Sequence, residues 1–160
     1  MQNHNLSLIA VVFAAMLLQG CSQQVDTAKV QADVTKAEAD GQKKIIDAQA
    51  QLDQVVAQNN KDLVSMQADA RKDAANDPNA PAAAVNSDIA KARASAETKV
   101  ANAQYNVDKA KAEAAEKVAE ARCELQVGDA NKACVASTKA SYESAEAAAK
   151  SKRDAAHPAQ

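Results

Sequence analysis

The sequence is poor in aromatic residues and in turn-forming residues. Its 160 residues include no Trp, one Phe, two Tyr, three Gly and three Pro. Because large aliphatic and aromatic side chains supply most of the burial energy of a core, a well-filled single core is excluded. The shortage of Gly and Pro excludes β-sandwiches, barrels and most α/β enzyme folds. Long segments rich in Ala, Lys, Glu, Asp and Gln remain, and they predict an all-α fold, an extended helical hairpin or coiled-coil-like rod of about three helices.

The charged residues are balanced and interleaved. The chain carries 19 basic and 21 acidic residues, a net charge of −2 and a pI of about 5.7. Proteins that bind nucleic acids usually present a basic stripe or a high pI, and this chain has neither. We therefore expect no nucleic-acid partner. Every Asp, Glu, Lys and Arg lies after Cys21, so the amino-terminal segment differs in composition from the rest.

The amino terminus has the pattern of an export signal. An apolar run from Leu6 to Leu18 is too short for a membrane-spanning helix, which needs about 20 residues, but fits a signal-peptide core. The run leads into Leu18-Gln19-Gly20-Cys21, which resembles the lipobox of bacterial lipoproteins. The alternatives are a plain signal peptide and a buried apolar helix with an incidental cysteine. The position of Cys21, between the apolar run and a polar Ser/Gln stretch, favours the lipobox.

The lipoprotein resemblance implies an anchor and a destination. In that family the cysteine thiol receives diacylglycerol before cleavage on its amino side, so residues 1–20 would be a signal peptide and Cys21 the lipidated residue. Residues 21–24 would be a tether and residues 25–160 an elongated helical domain in the periplasm. Ser22 stands where Asp retains many lipoproteins in the inner membrane, so the resemblance implies the outer membrane. The implied partner is the lipid bilayer, because two or more acyl chains hold a protein firmly.

Three helices are predicted, at about residues 25–75, 82–125 and 130–156. Pro78 and Pro81 cannot continue a helix, so a turn is expected at residues 76–81. The first helix has a narrow amphipathic seam formed by Ile45, Leu52, Val56, Leu63, Met66 and Ala70, with Gln49 and Asn59 at two further positions. The second has a regular stripe whose mean step of about 3.64 residues is close to that of a straight helix. Its members are Val85, Ile89, Ala92, Ala96, Val100, Ala103, Val107, Ala110, Ala114, Val118, Ala121 and Leu125.

Cys123 and Cys134 form an even pair of thiols in a chain predicted to be exported, which indicates a disulfide. Gly128 suits the carboxyl end of the second helix and Asp129 the cap of the third, so a tight turn would bring the two cysteines together. A redox pair or a metal site is the alternative. The pair lacks Cys-x-x-Cys spacing, and zinc needs about four ligands. We expect no metal or cofactor. We also expect loss of the disulfide to leave the stability of the first helix nearly unchanged.

The segment from Cys123 to Cys134, with its flanking Ala/Lys/Glu-rich helices, resembles small proteobacterial envelope proteins likened to the helical stalk of TolA. The resemblance covers about residues 90–155 and implies no established activity. A weaker likeness is to the major outer-membrane (murein) lipoprotein, which pairs a lipobox with a helical rod. That protein joins peptidoglycan through a terminal Lys, whereas this chain ends in Gln160, so such an attachment is not expected.

No catalytic motif is found in the sequence. It contains no Gly-rich phosphate loop, no Gly-x-Ser-x-Gly elbow, no His-Glu-x-x-His helix and no EF-hand loop. We therefore expect neither an enzyme nor a small-molecule substrate. The leading hypothesis is a lipid-anchored structural or scaffolding protein of the bacterial envelope, at the outer membrane and facing the periplasm. The alternatives are a stress protectant of the late-embryogenesis-abundant type and a helical adaptor, which would engage a partner helix or a second copy.

Overall fold

A computed structural model describes residues 25–76 and 82–156, except for the side chains of residues 82–85. The predicted signal peptide, the lipobox, the predicted turn at 77–81 and the last four residues lie outside the described residues. The described chain forms three helices and contains no strand: α1 at Thr27–Asn76, α2 at Ala82–Cys123 and α3 at Gly128–Ala155. The prediction of an all-α fold with three helices is therefore confirmed. None of the described helices has a stretch apolar and long enough to cross a membrane.

Helix α2 is the centre of the molecule. Helices α1 and α3 both pack against it, and within the described residues they do not pack against each other. Successive residues of a helix are rotated by about 100°, so two stripes can lie on opposite sides of α2. Val107 and Ala114 face α1, whereas Ala112 and Cys123 face α3, roughly 160° away around the helix axis. The fold is therefore an antiparallel helical zigzag, and not a closed bundle.

The pairing of α1 with α2 keeps one register along most of its length. Gly41 lies against Ala114, and Asn59 bonds to the backbone of Ala96, so both helices advance by the same number of residues between these contacts. Matching periodicities in the two helices allow this, because the seam of α1 and the stripe of α2 both repeat at nearly the period of a straight helix. The two helices therefore stay side by side, and α1, with 50 residues, makes a rod about 75 Å long.

The buried residues of this pair form two small apolar clusters. Val30, Val34 and Ala121 make one, close to the start of α1. Leu52, Ala103 and Val107 make the other, midway along the pair. The seam of α1 thus extends further toward the amino terminus than the predicted seam, which began at Ile45. Three predicted seam residues, Gln49, Val56 and Met66, are exposed. Ala48 and Val55 pack against the second cluster instead, because the buried side of α1 lies one residue earlier at these positions than the predicted spacing placed it.

The turn between α2 and α3 differs from its prediction in three respects. Helix α2 ends at Cys123, so Leu125 lies in the turn and is 49% exposed, not part of the stripe. Helix α3 begins at Gly128, whose φ of 63° is favourable for glycine. The residue in the N-cap position is Val127, which offers no side-chain cap. Asp129 lies in the first turn of α3, where its carboxylate pairs with Lys132 instead of capping the helix.

Candidate functional surfaces

The disulfide end of the molecule consists of the start of α1 and the turn between α2 and α3. A disulfide joins Cys123, the last residue of α2, to Cys134 in the second turn of α3, with Cα atoms 5.6 Å apart. Cys123 is completely buried. Asn131 Nδ2 donates a hydrogen bond of 2.7 Å to the carbonyl oxygen of Cys123, which also accepts one of 2.9 Å from the backbone N–H of Gln126. The two cysteines that the sequence pairs are thus brought together in the turn.

Helix α1 is coupled to this turn, contrary to the expectation from the sequence. Lys29 Nζ lies 3.6 Å from a carboxylate oxygen of Glu124, and Arg122 donates a hydrogen bond of 3.3 Å to Glu38. Beneath these exposed ion pairs, the apolar cluster around Val34 includes Ala121 of α2. The expectation of independence was wrong because the sequence does not reveal which residues of α1 meet the end of α2.

Helix α3 is held to α2 mainly by small side chains, with a polar cluster toward its carboxyl end. Tyr105 Oη donates a hydrogen bond of 3.3 Å to Glu146, and the Arg153 guanidinium lies 4.8 Å from the centre of the Tyr105 ring. Lys109 Nζ lies 3.6 Å from the same Glu146 carboxylate. Negative charge on Tyr105, followed by that on Glu146, raises the pKa of Lys109, while burial raises the pKa of Tyr142. The two tyrosines thus belong to the contact between α2 and α3.

Two residues in the seam between α1 and α2 have distinct roles. Gly41 allows the helices to approach closely, and Asn59 fixes their register. A Cβ added at Gly41 would lie 2.6 Å from the Cβ of Ala114, so no larger residue fits without a shift of one helix. Asn59 is 6% exposed, and its Nδ2 donates a hydrogen bond of 3.0 Å to the carbonyl oxygen of Ala96. A buried polar residue at one seam position specifies register, because any other alignment would leave it without this partner.

The tip of the molecule, which we define as residues 60–76 of α1 and 86–102 of α2, is packed more loosely. Residues of α1 are buried as far as Asn59 and none is buried beyond it. In α2, none of the described residues before Ala103 is buried. Helix α3 ends at Ala155, and the following Ala156 lines a space beside α1 and α2. Among the described residues, the tip is therefore a pair of helices without a third.

A groove runs along one side of the tip. Its outer part has a volume of about 860 Å³ and is lined by Gln67, Ala70, Arg71, Ala74, Asn86, Ile89, Ala90, Arg93, Ala94 and Glu97. The adjoining part, of about 430 Å³, shares Arg93 and Glu97 and reaches Ala156 at the end of α3. Four of the ten residues that line the outer part are alanines, and its charged residues are two arginines and one glutamate. Sequence reasoning missed it, because the seam of the first helix gave no sign that packing would loosen beyond Asn59.

The described residues offer no evident centre for metal chemistry. No group of three His, Cys, Asp or Glu residues among them could hold a metal ion. Their carboxylates lie mostly on exposed helix faces, where many pair with neighbouring lysines, as in Lys117 with Glu120 at 2.7 Å. The surfaces suited to function are therefore the disulfide end and the tip, since Cys21 lies outside the described residues. Comparisons with protein-family models, curated proteins and solved structures give no match to this chain.

Proposed function

We propose that this chain is a lipid-anchored, non-enzymatic structural protein of the bacterial cell envelope, which extends a helical rod into the periplasm. The proposed anchor is acylated Cys21, the proposed partner is the lipid bilayer, and the proposed location is the outer membrane. The resemblance to a lipobox at Leu18-Gln19-Gly20-Cys21 supports the anchor. The disulfide between Cys123 and Cys134 supports export, because structural disulfides form and persist in oxidising compartments.

The observation that carries the proposal is the direction of the rod relative to Cys21. Helix α1 begins at Thr27, shortly after the cysteine, and continues without a break to Asn76. An anchor at Cys21 would therefore keep the disulfide end near the bilayer and direct the tip away from it by about 75 Å. A helix of this length, paired along its side with α2, is suited to spanning distance and not to enclosing a substrate.

Fractionation of cells tests the anchor. We expect the wild-type chain to sediment with membranes and to require detergent for release. Cys21→Ser should leave an unprocessed, unacylated chain, whereas globomycin, which blocks only the cleavage, should leave an uncleaved chain that carries diacylglycerol. Cys134→Ser is the matched control, since it removes a cysteine outside the lipobox and should leave membrane attachment unchanged. A wild-type chain that is fully soluble, or whose mass does not change with Cys21→Ser beyond the substitution itself, would refute the anchor.

Circular dichroism separates the structural role from that of a stress protectant. In dilute buffer we expect a strongly helical spectrum that melts cooperatively, because α1 and α2 share a seam along their length. A coil spectrum that becomes helical only on drying would favour the protectant instead.

A further inference from the structure

The tip has the features of an interface that a second molecule completes. Near the disulfide end α2 is covered on two opposite sides, by α1 and by α3. At the tip α1 is the only element of the described chain that covers it, and three large seam side chains remain partly exposed there: Leu63, Met66 and Ile89. Two isolated helices with a seam of small residues are marginal, because most helical stability in proteins comes from tertiary packing.

We propose that the tip is a self-association surface, where the grooves of two copies of this chain pack together into a four-helix bundle. Two copies would bring four helices together, and four helices can pack around one shared core as a bundle. The groove is open along its length and lies beyond the end of α3, so α3 does not obstruct it. Its alanine lining lets helices approach closely, as Ala114 does against Gly41 within the chain.

The charges of the groove point to a second copy as the occupant. Arg93 and Glu97 lie one helical turn apart and line both parts of the groove. In a two-fold interface the same patch is used twice, so Arg93 of one copy can meet Glu97 of the other, and Glu97 of the first can meet Arg93 of the second. Arg93 and Glu97 are therefore complementary in charge to the same pair in a second copy. Arg71, the third charged residue of the lining, lies on α1 outside this pair.

This self-association is independent of the proposed anchor, because none of the residues involved lies near Cys21. The test is sedimentation analysis of the full-length chain, extracted in detergent, across a range of concentrations. We expect the wild-type chain to form dimers. Arg93→Glu and Glu97→Arg should each weaken the dimer by about tenfold or more, because each places like charges against one another across the interface.

Mixing the two variants makes the test specific. A 1:1 mixture of Arg93→Glu with Glu97→Arg should form heterodimers and recover the wild-type dissociation constant to within about threefold, since the opposite charges meet again between the copies. A loss of folding cannot produce this recovery. Lys139→Glu is the matched control: it reverses one charge of an exposed pair on α3, Lys139 and Glu143, and should leave dimerisation unchanged.

Photocrosslinking in cells supplies a second readout. A photoreactive residue at Ala94, which lines the groove, should give an adduct of twice the chain's mass, whereas one at the exposed Ala140 of α3 should not. A wild-type chain that stays monomeric, variants that dimerise like wild type, a mixture that does not recover, or an Ala94 adduct only to another protein would each overturn the proposal.

Discussion

Gly41 is the residue on which the packing of α1 against α2 depends most directly. In the middle of an exposed helix, replacing glycine by alanine is favourable by about 1 kcal/mol, because alanine loses less backbone freedom on folding. At position 41 the added methyl would meet Ala114 at a distance that no relaxed structure allows. The helices must then separate or shift, and overpacking of this kind typically costs about 1–3 kcal/mol.

We therefore predict that Gly41→Ala lowers the free energy of unfolding by about 1 kcal/mol, against its gain in helix propensity. Thermal or urea unfolding of the purified chain measures it. Ala114→Gly in the same chain should recover part of the loss, since it removes the methyl group that the new side chain meets. A more stable Gly41→Ala variant would show that α1 and α2 do not approach as closely as described.

For single residues, the sequence predicts the packing role of Asn59 but not that of Gly41. Asn59 occupies a seam position by spacing alone, and it is buried with its amide bonded across the seam. The role of Gly41 could not be predicted, because a glycine within a helix usually destabilises that helix. Glycine is needed here because Ala114, which is distant in the sequence, packs directly against it. Spacing identifies which side of a helix is buried, but not which residue of another helix lies opposite.

At the scale of the elements, the disulfide is expected to hold α3 in place. The contact between α2 and α3 buries few side chains besides Cys123, Ala112 and Ala149, so it gains little from apolar burial. A loop of this length contributes a little under about 3 kcal/mol in the chain-entropy model. We predict that Cys134→Ser speeds hydrogen exchange throughout α3, as measured by mass spectrometry.

The ion pairs and the apolar cluster at the disulfide end connect the start of α1 to the turn, so loss of the disulfide should speed hydrogen exchange there as well. Residues 27–38 should also exchange faster in Cys134→Ser, whereas residues 60–76 at the tip should not change. Ala133→Ser, at the exposed neighbouring position, is the control and should resemble wild type. Unchanged exchange in α3, or free thiols at both cysteines in protein isolated without reductant, would contradict the role of the disulfide.

Alkaline pH provides a second test of the contact between α2 and α3. The pKa of Lys109 is raised above its usual 10.5 by Tyr105 and Glu146, and that of Tyr142 above 10.0 by burial. A group whose folded-state pKa is raised stabilises the fold below its unfolded pKa, and that stability is lost as the pH rises through the folded value.

We therefore predict that the melting temperature of the chain falls above about pH 10, and that Tyr142→Phe reduces the fall, because phenylalanine cannot ionise. Melting curves followed by circular dichroism from pH 7 to pH 11.5 measure it. A melting temperature independent of pH up to pH 11.5, or an identical fall in Tyr142→Phe, would be inconsistent with this assignment.

The side of α2 that packs against α3 could not be predicted from the sequence. The apolar stripe correctly indicates the side that packs against α1, because Val and Ala recur there at a helical period. The opposite side carries Tyr105, Asp108, Lys109 and Ala112, which form no apolar pattern, yet α3 packs on it. The contact between α2 and α3 is made by small and charged side chains together with the disulfide. An analysis of hydrophobic periodicity does not detect a contact of this kind.

The whole molecule is best described as a rod with one reinforced end. The disulfide and the cluster around Val34 lie at the end where α1 begins, and the cluster around Leu52 lies midway along the rod, whereas the tip has no buried residue among those described. Firm packing near the base and looser packing at the far end suit a structural element that is fixed at one end and makes contacts at the other. The proposed envelope role and the proposed self-association at the tip are both based on this difference in packing between the two ends.

Small-angle X-ray scattering tests the rod most directly. For the chain from Ser22 onward, with the scattering extrapolated to zero concentration, we expect a radius of gyration of about 22 Å, as for a rod about 75 Å long. A compact globule of this size would give about 14 Å and a disordered chain about 38 Å. A value near 22 Å with a rod-like cross-section supports the extended pairing of α1 with α2, and a value near either of the other two contradicts it.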